Sequence, residues 1–546
     1  MNIPIIIGVT GHRNLCDGDL ARLREIVRKE LLRIQKRYPD SSLVMLNSLA
    51  EGADQLCAEA AAELGISLVV PLPMNVDDYI EDFKDEALKK FKRLLATADD
   101  VFVSPCTEKA GILTRDYYYR QAGIFIAAHS HVLLALWDGK PAKPGGGGTA
   151  DVVDLMLNPV YAGEGSLYRT THAGSVLQVV TPRKNMEIPG DAFTVKLLGQ
   201  PYEILDAVLQ ATDEFNSDVS SISQTKFQSL ADKKTLSEAS EKADSIHNLY
   251  QKADALSVVF RDKYLAAMKG LSLCGVVLVL SFLLYDEVES NLCLIVYGII
   301  LIMAFTFFII SRRGKYHRKY LEYRALAETL RVQFYLILLG INRNIADEYT
   351  WTQKNKNLWI RDTVTAALCG KTESATATGE QIEKMWIDNQ LAYHERALAK
   401  ANKKVKMNSS VSTALLITSI ATFMIILVME FHFSDLMNND LLNGPIRKIV
   451  MMHDGQEFVI RGIFKIVLGV FSAITLFLSN YYGKLSLNRK ISDHEKMIAH
   501  YKSARERFQD PSLARDLLFL ELAKEEIVEN GNWFSYCSDN TLTINF

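Results

Sequence analysis

Residues 3–13 read Ile-Pro-Ile-Ile-Ile-Gly-Val-Thr-Gly-His-Arg, an apolar run that breaks on a Gly-x-x-Gly-His turn. A run with so little polar alternation predicts a strand buried on both faces, as in parallel sheets covered by helices. No basic lead precedes it and no small-residue cleavage site follows, so it reads as a first strand and not a secretory signal. The amino-terminal part is therefore expected in the cytoplasm. The same rhythm continues outward: a helix over Asp19 to Tyr38, a strand over Leu43 to Asn47, a helix over Ala53 to Leu64 and a strand over Ser67 to Pro71. A charged helix near Asp77 to Ala96, a strand over Asp100 to Ser104, a helix over Thr114 to His129 and a strand over Val132 to Trp137 follow. Val176 to Thr181 is expected as the last strand and Tyr202 to Phe215 as a closing helix, with a Gly- and Tyr-bearing loop over Asn158 to His172 between them. Strands alternating with helices predict an α/β Rossmann-like domain over 1–215.

At 546 residues the chain is too long for a single core. Its 61 basic and 64 acidic residues leave a formal net charge of -3, which argues against a dedicated partner for a nucleic-acid polymer. The seven cysteines are scattered without Cys-x-x-Cys spacing, so neither a disulfide framework nor a metal site is expected.

Beyond residue 215 the strand signal ends. Asn216 to Lys269 has no proline and spaces its apolar residues as an amphipathic helix or a pair of them. Four apolar stretches follow: Leu271 to Tyr285, Leu292 to Ile310, Val411 to Met429 and Ile466 to Tyr482. The first is short for the roughly 20 residues that span hydrocarbon, but the second and third approach that length without a charge. Basic residues gather on one side of all four: Lys263 and Lys269, the cluster from Arg312 to Lys319, Lys400 to Lys406, and Lys484 to Lys490. The first outer turn carries Asp286, Glu287 and Glu289 and no cation, whereas the longer second loop, Glu430 to Arg461, does hold Arg447 and Lys448. The positive-inside rule then predicts an all-α region of four transmembrane helices in two hairpins, with long cytoplasmic helices and both termini cytoplasmic. Successive blocks 216–345 and 346–546 each hold one hairpin. Thr306, Ser412, Thr413, Thr418, Ser419, Thr422, Ser472 and Thr475 are the polar residues of the spans, each able to line a conduction path or to bond the preceding turn.

The strongest chemical signal is Lys143-Pro144-Gly145-Gly146-Gly147-Gly148-Thr149-Ala150-Asp151. Consecutive glycines let backbone N–H groups converge, and a helix starting near Thr149 aims its positive end at whatever binds there. Two further strand-end turns, Gly8 to Arg13 and Ser48 to Asp54, would share one crevice with it at the carboxyl ends of parallel strands. The candidate ligand-binding residues are Gly8, Thr10, Gly11, His12, Arg13, Ser48, Glu51, Gly52, Asp54, Arg120, Asp138, Gly146, Gly147, Gly148, Thr149 and Asp151. His12 beside Arg13 reads as an anion contact in preference to a general acid, and no catalytic residue is assigned.

Gly11-His12-Arg13, the Ser48 to Asp54 segment, Arg120-Gln121-Ala122-Gly123, Trp137-Asp138-Gly139 and Gly146 to Asp151 follow the order seen in the SLOG superfamily. The chain resembles that group of Rossmann-like nucleotide-binding domains, relatives of the LOG phosphoribohydrolases and the DNA-processing protein DprA, over about residues 1–200. In the LOG enzymes a Gly-Gly-x-Gly-Thr-x-x-Glu motif binds phosphate, and an Arg with the Glu assists N-glycosidic cleavage. Arg120 resembles that Arg, but the Glu position falls on Val152, with Asp151 one place earlier. Tyr323-Arg324-Ala325-Leu326-Ala327-Glu328-Thr329-Leu330-Arg331, Leu522 to Glu525 and Glu529-Asn530-Gly531-Asn532-Trp533 resemble the SLATT family of membrane effectors over about residues 220–546. The pairing of Arg324 with Glu328 fits a solvent-exposed helix or a gating or subunit contact.

These resemblances imply a nucleotide-messenger-gated, pore- or channel-forming effector of bacterial antiviral defence (abortive infection). It would sit in the inner membrane as a homo-oligomer, taken as a tetramer. The implied ligand is a cyclic nucleotide or an NAD- or ADP-ribose-derived signal, and the implied partners are that small molecule and the bilayer. The alternative is a membrane-anchored nucleotide N-glycosidase of the LOG type, for which Asp151 or Glu51 would have to supply the carboxylate.

Overall fold

A computed structural model describes residues 2–106, 114–141, 147–158, 173–222, 227–288, 290–350, 353, 358–438, 460–484 and 487–539. The amino-terminal sheet contains β1 (Ile5–Gly11), β2 (Leu43–Leu46), β3 (Ser67–Leu72), β4 (Asp100–Val103), β5 (Val132–Trp137), β6 (Ser175–Val180) and β7 (Val195–Gly199). Their order is β4-β3-β2-β1-β5-β6-β7. β1 lies between β2 and β5, with Ile7 opposite both Met45 and Val132. All neighbours run parallel except β7, which pairs antiparallel with β6. Packed with the sheet are α1 (Leu20–Arg37), α2 (Ala53–Glu63), α3 (Val76–Tyr79), α4 (Asp85–Ala96), α5 (Arg115–His129), α6 (Thr149–Leu157) and α7 (Tyr202–Ser220). The Rossmann-like fold read from the sequence is present.

Two details differ from the sequence reading. The last strand is β7, not the one at Val176 to Thr181: Val195–Gly199 is a partly exposed edge strand, so it lacks the continuous apolar run that marked the others. The expected helix from Asp77 to Ala96 is broken, because Ile80–Asp82 is a 3-10 turn and Phe83 is extended. That break turns Tyr79 and Phe83 inward onto Phe91, at ring distances of 5.6 and 4.6 Å. Helix α7 is fixed to the sheet by Asn216, whose amide receives the Ile3 N–H at 2.9 Å and donates to Ile3 O at 2.9 Å.

The carboxyl-terminal part is mostly helical: α8 (Lys233–Glu238), α9 (Glu241–Val288), α10 (Asn291–Arg313), α11 (Tyr316–Leu338), α12 (Leu358–Leu368), α13 (Gly379–Ile382), α14 (Asn389–Asn438), α15 (Ile460–Lys484), α16 (Leu487–Phe508) and α17 (Arg515–Asp539). Three helical stretches among the described residues, Glu241–Asp286, Asn291–Leu338 and Gly379–Leu427, are long and apolar enough to cross a bilayer. The fourth expected span forms a helix, α15, in which Phe464–Thr475 is an apolar stretch among the described side chains. Most of the expected second outer loop, with Arg447 and Lys448, lies outside the described residues, as do Glu289 and 159–172. The Thr306, Thr418, Thr422 and Thr475 hydroxyls donate to the carbonyls four residues earlier, each at 2.8 Å, the local use of a hydroxyl within an apolar helix.

The chain forms two compact units, each gathered from separate segments. The first comprises Met1–Leu256, Glu322–Ile382 and Leu513–Tyr536; the second comprises Ser257–Leu321, Glu383–Ser512 and Cys537–Phe546. In the first, Phe215 of α7 packs edge-on against Tyr323 of α11 at 5.4 Å, and the Tyr323 hydroxyl donates to Asp218 Oδ2 at 2.5 Å. The two motifs at 323–331 and 522–533 meet here. Arg331 donates to Glu526 Oε2 at 3.0 Å, and Asn530 Nδ2 donates to Ala325 O at 3.0 Å and to the Tyr349 hydroxyl at 3.0 Å. Arg324 pairs with both Asp254, at 3.0 Å, and Glu328. Arg324 and Glu328 thus belong to a partly buried network inside one subunit, and the solvent-exposed reading of that pair is corrected. Glu526 is 2% exposed, and breaking a buried pair from one side costs about 3–5 kcal/mol. Glu526→Ala should accordingly lower the melting temperature of the full chain in detergent markedly more than Glu525→Ala, whose neighbouring position serves as the control.

Candidate functional site

Strand order reverses around β1, because β2 and β5 leave it on opposite sides. In an open α/β sheet this switch point opens a crevice at the carboxyl ends of the strands. A cavity of about 620 Å³ lies there, lined from the β1 end by Thr10, Gly11, His12, Arg13 and Asn14, and from the β2 end by Ser48, Ala50 and Asp54. Gly147, Gly148, Thr149 and Ala150 form another wall, with Tyr79, Tyr119, Trp137, Lys140, Val152 and Arg183. The volume is within the ordinary range for small-molecule sites.

The turns reach this arrangement only through close backbone approach. Gly52 has φ +87°, and a Cβ there would fall 2.3 Å from Arg13 O. A Cβ on Gly11 would fall 2.3 Å from Ala53 Cβ. The Ala53 N–H donates to His12 O at 3.1 Å, closing the contact between the two turns. Gly147 has φ +66°, and its Cβ would fall 2.6 Å from Arg120 N, so the glycine loop rests on the backbone of α5. Asp151 secures that loop: its Oδ2 accepts the Gly147 N–H at 3.2 Å and lies 3.4 Å from Arg120 Nε. Helix α6 then begins at Thr149, and first-turn N–H groups have no intrahelical acceptor, so its positive end faces the cavity.

The candidate residues divide accordingly. Thr10, Gly11, His12, Arg13, Ser48, Asp54, Gly147, Gly148 and Thr149 line the cavity. Gly8 lies within β1, where a Cβ would strike Ser130 Oγ at 2.2 Å. Gly52 shapes a turn, Arg120 and Asp151 brace the glycine loop, Asp138 supports His12, and none of these four is in the lining. Glu51 is exposed and also outside the lining. Gly146 is outside the described residues.

Lys140, Arg183, Tyr79, Tyr119 and Trp137 were missed. Lys140 directly follows Trp137-Asp138-Gly139, and Arg183 follows β6, so the strand-end rule reaches both. Tyr79 could not be found, because its inward turn depends on the helix break.

The electrostatics favour an anion. Arg13, with its side chain 50% exposed, lies 3.8 Å from Asp82 and stands 5.4 Å from the Tyr119 ring. Arg183 is 3.6 Å from Asp138. The Asp138 N–H donates to His12 Nε2 at 3.1 Å, and Asp138 Oδ1 lies 3.2 Å from that nitrogen. Burial, the largest influence, lowers the His12 pKa; Asp138 opposes it and Arg183 adds to it, so the imidazole is neutral at pH 7. Burial would raise the Asp138 pKa, but the Lys140 N–H, His12 and Arg183 together hold it below the ordinary value. Asp54 is the opposite case: burial pushes its carboxyl up to about 7, against the Ala50 N–H and Arg13. The two carboxyls at this site therefore differ in charge near neutrality.

No protein-family model matches the chain, and no curated protein matches it.

The Asp54 shift sets a pH dependence. The unfolded carboxyl ionises near its ordinary value of 3.8, whereas the folded one resists until about 7. Stability is thus eroded as pH rises from about 4 to 7, and the loss is complete above that. Asp54→Asn should stabilise the full chain at pH 8 by up to roughly 4 kcal/mol, since each pKa unit between the folded and unfolded carboxyl corresponds to about 1.4 kcal/mol. Detergent-phase melting at pH 4.5 and pH 8 checks this, with the gain expected only at the higher pH.

Proposed function

We propose that the chain is a nucleotide-gated membrane effector, in which the Rossmann-like domain senses a phosphate-bearing nucleotide signal and the helical region changes membrane permeability. The observation that carries this reading is the cavity itself: a glycine loop, a helix amino terminus and three cations converge there beside three aromatic rings. Cations and helix ends suit phosphate, and Tyr79, Tyr119 and Trp137 suit a base or ribose face. The resemblance to SLOG and SLATT proteins supports the same reading. On this reading the protein acts in bacterial antiviral defence at the inner membrane, with both termini cytoplasmic and the pore built as a homo-oligomer, taken as a tetramer. Cyclic nucleotides and NAD or ADP-ribose derivatives are the candidate signals.

A four-span arrangement is supported by packing in the second unit. Gly275 of α9 receives Phe477 of α15, where a Cβ would fall 2.0 Å from the ring, and Gly469 of α15 receives Leu283 at 2.5 Å. Lys465 donates to Asp286 Oδ2 at 2.9 Å. As α9 advances from 275 to 286, α15 retreats from 477 to 465, so the helices run antiparallel side by side, and α15 matches the depth of the apolar part of α9.

Coupling has a contiguous route within the first unit. The glycine loop rests on α5 at Tyr119 and Arg120, and α5 packs against α12. Lys242, at the start of α9, donates to Leu368 O at 2.8 Å and Lys371 O at 2.7 Å, capping the carboxyl end of α12. Helix α9 continues from there into the first apolar stretch. A ligand shifts such an element only by its differential affinity for the two states, and several subunits sum those contributions. The hydrolase reading lacks support at the reacting position, where Val152 lines the wall and Asp151 is engaged with Arg120 and Gly147.

Full-length protein purified from infected and uninfected bacteria, followed by mass spectrometry of what copurifies, tests the sensor. A nucleotide carried by wild type and lost in a folded Gly147→Val variant is expected. Cleaved base with ribose phosphate, or no nucleotide in any wild-type sample, would overturn it. Lys242→Met should retain the nucleotide yet reduce dye leakage from liposomes at least tenfold, since it removes the α9 clamp and leaves the cavity intact.

A further inference from the structure

In the second unit, α14 and α16 pack along each other, and one contact between them differs in kind from the rest. His394 Nδ1 of α14 lies 3.0 Å from His494 Nδ1 of α16. The rings are 5.2 Å apart at 64°, and Tyr501 of α16 covers the His394 ring at 5.7 Å. Two imidazole nitrogens at this distance require one to carry a proton and the other to present a lone pair. We infer that the His394–His494 pair is an acid-sensitive clasp between α14 and α16, closed at neutral pH and opened when both rings are protonated.

The proton balance fixes the sign. In the neutral pair, one Nδ1–H donates to the other Nδ1. The first added proton goes to the donor ring's Nε2, which leaves the bond in place and charge-assisted. The second must occupy the accepting Nδ1, putting two N–H groups and two positive charges face to face. The rings therefore titrate as a pair, and the second step lies below the ordinary histidine range. Burial, the largest influence, lowers the His494 pKa, with Lys490 acting the same way and Asp493 opposing.

His500 of α16 is a further histidine beside the clasp, 5.6 Å from the Tyr501 ring, and it is untouched by the substitutions below, which separate its response from that of the pair. From α14 the neighbours are Tyr393 and Glu395; from α16 they are Lys490, Asp493, Tyr501 and Lys502. Glu395 lies 3.8 Å from Lys502, and Asp388, at the end of the π-helical segment Glu383–Asp388 that leads into α14, lies 3.8 Å from Arg505. Arg489 lies 3.8 Å from Asp493. Both bridges across the seam are about half exposed, where ion pairs contribute little. They neither replace the histidine bond nor fail with it. Helix α14 carries the third apolar stretch, and α16 follows α15, so opening the clasp would loosen the segments that end two of the membrane helices.

Hydrogen–deuterium exchange of the full-length protein in lipid nanodiscs tests the clasp, with rates corrected for the intrinsic pH dependence. Peptides covering 389–400 and 489–502 should exchange at least fivefold faster at pH 5 than at pH 7.5, while peptides from β1 and β5 hold steady. His394→Phe/His494→Phe replaces the pair by an aromatic contact that takes up no proton, and should abolish the pH response while keeping protection at pH 7.5. Single His494→Gln, which donates or accepts without titrating, should shift or blunt the response. Equal protection of the wild type at both pH values would overturn the proposal, as would an undiminished acid response in the double variant. None of these readouts requires the nucleotide signal, so the clasp and the sensor fail separately.

Discussion

Gly52 and the carbonyls of His12 and Arg13 approach so closely that no side chain fits between them. This contact between the first and second strand-end turns governs the amino-terminal domain. It brings α2 against the end of β1, places Asp54 in the cavity and leaves Arg13 at the opening. A Cβ at Gly52 would have to displace backbone, and its left-handed φ would be strained for any other residue. The glycine loop repeats the principle at a second point: Gly147 lies on the backbone of α5, and Asp151 with Arg120 prevents it from lifting. The cavity is thus formed by backbone proximity, with side chains securing it from behind.

That construction explains why several residues chosen for ligand contact serve another purpose. Arg120 and Asp151 neutralise one another, which spares the cavity a carboxylate. Asp138 is similarly occupied by His12, Arg183 and the Lys140 N–H. Asp54 is held neutral by burial up to about pH 7. Asp138 and Asp82 each face a cation that lines the cavity, Arg183 and Arg13, and Lys140 adds a further positive charge. A phosphate entering here would meet an excess of positive charge.

The sheet was legible because its core strands are continuous apolar runs, and the three glycine-bearing turns were legible because glycine at strand ends has few structural substitutes. The edge strand β7 was not, since a partly exposed strand carries no such run. The break at Ile80–Asp82 was also hidden: it lets Phe83 stack on Phe91 and Tyr79 meet the same ring edge-on, a tertiary gain that overrides a good helical pattern. The same limit applies to Arg324, Glu328 and Asn530. Spacing of four residues is identical for an exposed helix and for a buried network, and only the packing of α9 and α17 onto α11, from distant parts of the chain, distinguishes them.

Chain order conceals a further property of the architecture. Segments 322–382 and 513–536 leave the sequence neighbourhood of the apolar helices and join the unit that contains the sheet. Arg331, Glu526, Asn530 and Tyr349 bind those segments together by buried polar contacts, which are costly to break one at a time. Lys242 attaches the first turn of α9 to the same body. The first part of α9 is held in the same body along several turns, from Lys242 to Asp254, whose carboxylate pairs with Arg324. Packed polar and apolar contacts of this kind make the assembly resist continuous deformation.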